Sequence, residues 1–322
     1  FIHQSAKDFF IKKGQSILDR SQISEGDATG RAHYELSRSC IRYLAMEEIS
    51  QSTTWDGDRL KSEFPLLKYA AGSWVSHACQ SETRGISQDD LLDYFKWPSQ
   101  DLVEVWLRAG DKVGRSACIP MVGTALEHIL SNYGLKGPLL ETMRRADRAG
   151  TDLNVRDVFR RTPLFNAVAM SHEDIVKLLL DTDKVDANPK DFSGRTPFSW
   201  AVWRGQKAMV KLLLNFNQVD VNITDNRGQT PLHLAIAERQ EAIVELLCNN
   251  NKVDVNTTDD SGQTPLHLAI QKGRYDMMKL ILKMDGININ AEDSKGRTVL
   301  HLALTTTGDK DIIKLLREAD AN

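Results

Sequence analysis

The sequence predicts an all-α solenoid in which helix-turn-helix pairs joined by hairpin turns stack behind one another, preceded by a separate helical segment. Three observations predict it. Thr162, Thr196, Thr230, Thr264 and Thr298 recur at intervals of 34 residues. Each is followed by two apolar stretches of helical periodicity, such as PLHLAI and IVELLC after Thr230. Each is preceded by a turn that opens on an aspartate, at 157, 191, 225, 259 and 293. A fixed period of this length marks a repeat array, because one helix pair cannot bury its own apolar face and needs a neighbour to cover it.

Taken in order, residues 1–122 show no repeat. FIH reads as a short strand, and Ser5 with Asp8 forms a capping-box arrangement that opens a helix. Residues 15–30, rich in Ser, Gly, Asp and Thr, read as a loop. Helical spacing returns over 32–50, with Leu36, Cys40, Tyr43 and Leu44 on one side, and over 63–79, with Leu67, Ala71, Trp74 and Ala78. Ser87 and Asp90 are placed to cap a third helix carrying Leu91, Leu92 and Phe95. Pro98 ends that helix, and Ser99 starts a fourth carrying Leu102, Val105 and Trp106. A weak repeat follows in GTALEHIL, LLETMRRA and GTDLNVRD, with Thr124 lying 38 residues before Thr162.

The strong units read DVFRRTPLFNAV, DFSGRTPFSWAV, DNRGQTPLHLAI, DDSGQTPLHLAI and DSKGRTVLHLAL. Threonine accepts amide protons of the first helical turn, and the proline after it has no N–H to leave unpaired. Gly194, Gly228, Gly262 and Gly296 sit where the turn needs positive φ, whereas Arg160 occupies that place in the first unit. Ala235, Ala269 and Ala303 are small enough for neighbouring helices to approach closely. Val299 replaces proline in the last unit, which carries one extra residue near Gly308.

These residues resemble the ankyrin family, whose signature is D-x-x-G-x-T-P-L-H-x-A, over residues 157–322. The inter-repeat segments NQVDVN and NKVDVN are similar to the 34-residue variant of long fungal arrays. FIHQSAKDFF, SRSCIRYLA and FPLLKYAAGSWVSHA resemble the region that follows the nucleotide-binding module in fungal NACHT-type signalling NTPases. There a winged helix ends in a similar motif and a helical connector leads into ankyrin repeats. The resemblance implies that Phe1 falls inside the last elements of a winged helix and that the chain is a piece of a longer polypeptide. The expected divisions are a winged-helix end plus loop at 1–30, a connector at 31–118, and a degenerate capping repeat at 119–156. Five repeats follow at 157–190, 191–224, 225–258, 259–292 and 293–322.

Composition excludes several function classes. With 41% hydrophobic and 26% charged residues the chain is not disordered. A net charge of −3 without a basic stripe argues against nucleic acid, and no apolar run spans a bilayer. Phe1 to Gly14 mixes charged and apolar residues and forms no secretory leader. Cys40, Cys79, Cys118 and Cys248 are too far apart for a CxxC pair and read as buried thiols of a reducing, cytoplasmic setting, with the nucleus left open.

No GxxxxGK[ST] loop is present. His3, Ser5 and Asp8 crowd one turn and read as a cap rather than a catalytic trio. His233, His267 and His301 recur one repeat apart, too far for a shared metal, and are expected to bond their own threonine caps. No catalytic residue, cofactor or metal is therefore expected.

The expected function is a non-enzymatic protein-interaction scaffold whose partner is a protein of unknown identity, forming the sensing or regulatory arm of a NACHT-type NTPase. A free-standing adaptor is the alternative, and an enzyme with an unrecognised site in 1–122 a remote one. The family resemblance implies binding through turn tips and the exposed side of the first helices. In the first repeat this selects Phe159, Arg161 and Met170, and in the second Phe192, Arg195, Trp203 and Arg204. Arg227 and Glu238, then Lys272, then Lys295 follow in the later repeats. The apolar members gather in the first two repeats, as the anchor of a protein interface would.

Overall fold

The computed structural model describes residues 25–54, 56–113, 121–149, 152–307 and 310–320. Every regular element among them is helical. The strand expected at 1–3, the helix after Ser5 and the extra residue near Gly308 lie outside the described residues, as does Cys118. The chain divides into two compact units between Val185 and Asp186.

In the first unit, α1 (Glu25–Leu44) packs along α4 (Leu67–Glu82), with α2 (Glu47–Gln51) and α3 (Gly57–Glu63) between them in sequence. Helix α1 begins within the segment expected to be a loop. Gly30 explains the misreading: a Cβ there would lie 3.0 Å from both Arg84 Cβ and Ile86 Cγ1. This glycine permits a close approach inside a helix and makes no turn. The sequence had not separated α3, which Asp56 caps through the amides of Asp58 and Arg59.

The predicted face of α4 is buried as expected at Leu67, Ala71, Trp74 and Ala78. Trp74 packs at 5.0 Å from Phe95 and 5.1 Å from Trp106, ring centre to ring centre. The Trp106 indole N–H donates to the Ala71 carbonyl. Asp90 does not cap α5 (Leu91–Tyr94). Its carboxylate instead accepts from Tyr34 and from the fully buried Arg38, a charge that must be paired to be buried. Helix α6 (Asp101–Lys112) buries Val103, Trp106 and Leu107, a face rotated by one residue from the expected Leu102, Val105 and Trp106.

The degenerate repeat forms α7 (Leu126–Tyr133) and α8 (Lys136–Ala149), and α7 packs on α9 (Pro163–Ala169), the first helix of the next repeat. The cap position is Ala125 rather than Thr124, whose hydroxyl turns back to the Met121 carbonyl. With no capping hydroxyl, the Leu126 amide donates to the Gln100 side chain at 2.9 Å. Helix α10 (Glu173–Leu180) completes the first strong repeat.

The second unit holds α11 (Pro197–Trp203), α12 (Lys207–Leu213), α13 (Pro231–Ala237), α14 (Glu241–Cys248), α15 (Pro265–Gln271), α16 (Tyr275–Ile281), α17 (Val299–Leu302) and α18 (Lys310–Asp320). First helices stack on first helices, and Ala201, Ala235, Ala269 and Ala303 are fully buried along that line. Two ladders align the repeats. In the turns, the amides of Asn226, Asp260 and Ser294 each donate to a carbonyl of the preceding turn, at 3.0–3.1 Å. In the inter-repeat segments, the Asn188, Asn222 and Asn256 carboxamides each donate to one carbonyl and accept one amide of the following repeat.

In the last repeat, α17 runs into a π-helical turn over Ala303–Thr307. Thr305 and Thr306 hydroxyls bond the carbonyls of His301 and Leu302 there.

Candidate functional site

Each strong first helix opens with the threonine the sequence marks. Thr230, Thr264 and Thr298 accept the amides of His233, His267 and His301, and the imidazole Nδ1 of each histidine accepts the threonine amide in return. Ser199 takes the histidine's part for Thr196, whereas Phe165 cannot do so for Thr162. The histidines are thus structural, as expected, and among the described residues no cluster of metal ligands occurs.

Below each cap lies the turn aspartate. Asp191 Oδ1 accepts the amides of Ser193 and Arg195, and Asp225, Asp259 and Asp293 repeat the pattern. The second carboxylate oxygen differs among repeats. Arg195 binds Asp191 Oδ2 at 3.2 Å, and Arg297 binds Asp293 Oδ2 through two nitrogens at 2.9 and 2.7 Å. Burial pushes the Asp293 carboxyl up, but Arg297 and the turn amides prevail and hold it at about 2. In the two middle repeats the arginine position is Gln229 and Gln263, and Asp225 Oδ2 and Asp259 Oδ2 receive no hydrogen bond among the described residues.

These turns and the first helices behind them enclose a groove of about 690 Å³ in the second unit. Phe192, Arg195, Trp203, Arg227, Glu238 and Lys272, all selected from the sequence, line it. Phe192 is 60% exposed. Trp203 is half-buried, 5.2 Å from Trp200 ring to ring, and its indole N–H donates to Glu238. The Arg195 guanidinium lies 4.6 Å from the centres of both indole rings, and Arg204 lies 5.5 Å from that of Trp203. Arg195 is therefore held by a carboxylate and two aromatic faces. Lys295 is exposed but does not line the groove.

In the first unit Phe159 and Met170 are exposed, and Arg161 is half-buried with its guanidinium 5.1 Å from the Phe159 ring centre and 5.4 Å from that of Phe165. Among the groove residues that sequence reasoning missed are Asp225, Asp259, Leu234 and Leu268. The change from Arg to Gln before the threonines is the trace the two aspartates leave in the sequence, and it gains meaning only beside the ion pairs of Arg195 and Arg297.

The ankyrin-repeat family profile matches three overlapping stretches, residues 128–225, 209–293 and 251–322. The chain belongs to the ankyrin-repeat family. Among solved structures it is similar to the ankyrin repeat domain of Bcl-3, described as a unique member of the IkappaB protein family. That similarity covers 62% of this chain and 88% of the other, at 25% identity and a TM-score of 0.56. No curated protein matches the chain. Ankyrin repeats are protein-binding modules, which places this protein in the class of protein-interaction scaffolds.

The described thiols carry no visible chemistry. Cys40 is buried and Cys79 and Cys248 are half-buried. Burial pushes the first two up to about 12 and Cys248 to about 11, so all three stay protonated near neutrality. No described helix is long and apolar enough to cross a membrane.

Proposed function

We propose that this ankyrin array binds a protein partner through the groove in residues 186–322, with Phe192 and Trp203 as its apolar anchors. The observation that carries the reading is Phe192: a large apolar side chain 60% exposed at the mouth of a groove that also holds a half-buried tryptophan. Aromatic side chains in such settings dominate the energetics of protein interfaces. Arg204 and Lys295 of the same unit extend the contact surface, and Phe159, Arg161 and Met170 are candidate partner contacts of the first unit by itself. Affinity capture with the full chain, compared with Phe192→Ser and Trp203→Ala chains, tests this. A partner retained equally by all three would overturn it.

The resemblance of FIHQSAKDFF, SRSCIRYLA and FPLLKYAAGSWVSHA to the connector of NACHT-type NTPases supports a finer reading. In it the array is the sensing or regulatory arm of a signalling NTPase, residues 31–118 are the helical connector, and the partner is the signal. A phosphate-binding GxxxxGK[ST] motif encoded upstream of Phe1 would support this assignment, and an open reading frame without one would reject it in favour of a free-standing adaptor.

A further inference from the structure

We propose that the groove is an arginine receptor: it takes a segment of a protein partner whose arginine side chain enters over Trp203 toward Asp225 and Asp259. The inference rests on the groove being the partner site and adds the chemistry of the occupant.

The protein itself displays the interaction. In the second repeat Arg195 reaches the free oxygen of the turn aspartate Asp191 while lying against Trp200 and Trp203. In the fifth repeat Arg297 makes the same ion pair with Asp293. Between them, Asp225 and Asp259 have identical turn geometry, with Oδ1 held by two amides, but Gln229 and Gln263 stand where the arginines would be. Both carboxylates line the groove, and their Oδ2 atoms accept nothing from the described residues. A carboxylate oxygen at a concave surface favours a charged donor, and a guanidinium can bring two N–H groups to it, as Arg297 does at Asp293 Oδ2.

A second observation points to the same occupant. Gln263 is only 7% exposed and lines the groove, yet its side-chain amide makes no hydrogen bond with the described residues; only its backbone is engaged. The carboxamide atoms are not sealed from solvent; they open into the groove and are available to an incoming donor. A guanidinium at Asp259 has donors to spare for the Gln263 carboxamide oxygen. Arg227 and Lys272 also line the groove but are exposed on flexible stems, while the aspartates are fixed by their turns. Leu234 and Leu268 supply an apolar floor for the arginine's methylene stem.

Selection of a random twelve-residue peptide library on the full 322-residue chain tests the inference, with affinities of enriched peptides then read by fluorescence polarisation. Enriched peptides are expected to share an arginine, and its replacement by glutamine should weaken binding at least tenfold. Two double variants address the site from opposite directions. Asp225→Asn with Asp259→Asn keeps the Oδ1 acceptor that builds each turn and removes the charge. Gln229→Arg with Gln263→Arg fills the site from within, as the second and fifth repeats do. Each should weaken the same peptides at least tenfold with the unfolding midpoint retained or raised for the arginine pair. Enriched peptides without arginine, no enrichment, or affinities unchanged in both variants would overturn the inference. Peptides weakened by Trp203→Ala but indifferent to both double variants would leave the groove as the binding site and remove only its arginine specificity. Peptides indifferent to all three would remove the groove as well.

Discussion

His233 joins two repeats: its Nε2–H donates to the Gln263 carbonyl at 2.9 Å, while its Nδ1 meets the Thr230 hydroxyl at 2.8 Å on its own helix. One neutral imidazole thereby caps a helix and bonds the next turn. His267 repeats the arrangement with Thr264 and the Arg297 carbonyl.

The first prediction follows from that geometry. His233→Ala removes a cap partner and one of the two hydrogen bonds that the Gln263 carbonyl accepts, the other coming from the Asp259 amide, which should destabilise the chain by about 1–2 kcal/mol in urea unfolding. The pH dependence has a defined sign. Burial, foremost, lowers the pKa of His233 and His267 below the ordinary 6.5, so the folded state resists a proton that the unfolded chain accepts. Their contribution is fully present above pH 6.5 and is lost as pH falls toward the folded-state values. His77 adds to the same slope, because burial and the neighbouring His33 lower it to about 4. The unfolding midpoint should therefore drop between pH 7.5 and 5, and a flat profile would contradict the neutral assignment.

A second prediction concerns the turns. Arg160 has φ 61°, matching Gly194, Gly228, Gly262 and Gly296 at 69–77°. Arg160→Gly relieves a left-handed residue and should stabilise by about 1 kcal/mol, net of the entropy glycine adds to the unfolded chain. Gly228→Ala should do the reverse, costing about 2 kcal/mol or more, because its Cβ would lie 2.7 Å from Asp260 Oδ1 and 2.8 Å from the Asp260 nitrogen. Equal midpoints for the two variants would show that the turns do not share one shape.

The repeat period, the threonine caps and the turn glycines were legible in the sequence because each is a local requirement, met within a few residues. What was not legible depends on distant partners. Nothing near Asp90 announces Arg38, 52 residues away, and so it read as a cap. Gly30 looked like a loop residue because its reason lies at Arg84 and Ile86. The asparagines of VDAN and VDVN were visible, but the ladder they build appears only when repeats stack. The groove's aromatic residues were picked out by position, whereas Asp225 and Asp259 passed as turn formers because their missing arginines show only beside Arg195 and Arg297.

A third prediction concerns the last repeat. Ile312 of α18 is 5% exposed and belongs to the core with Leu316. The apolar surface lies instead at Leu304, 49% exposed within the π turn, and at the half-buried Ile313 and Leu315. Amides of 310–320 should exchange with solvent faster than those of α14, whose neighbours flank it on both sides. Equal protection would mean that the last helix is as firmly held as the middle of the array.

The last prediction separates anchoring from packing at Phe192 and Trp203. Phe192 exposes most of its ring, so Phe192→Ser should change stability by less than about 0.5 kcal/mol. Trp203 is different: it stacks on Trp200, carries Arg195 and Arg204 over its faces and bonds Glu238. Trp203→Ala should therefore cost about 1–2 kcal/mol of stability. Trp203→Phe keeps a ring for the stack while it loses the bond to Glu238 and part of the indole surface under Arg195 and Arg204, a smaller change than alanine and therefore the better probe of recognition. If both rings anchor the partner, Phe192→Ser should weaken its binding by about 2 kcal/mol, roughly thirtyfold, and Trp203→Phe by a smaller but measurable factor. Calorimetric unfolding and binding of each variant decide the matter together. Binding unchanged in Phe192→Ser, with its melting point also unchanged, would leave the exposed ring without a partner and move the interface elsewhere on the array.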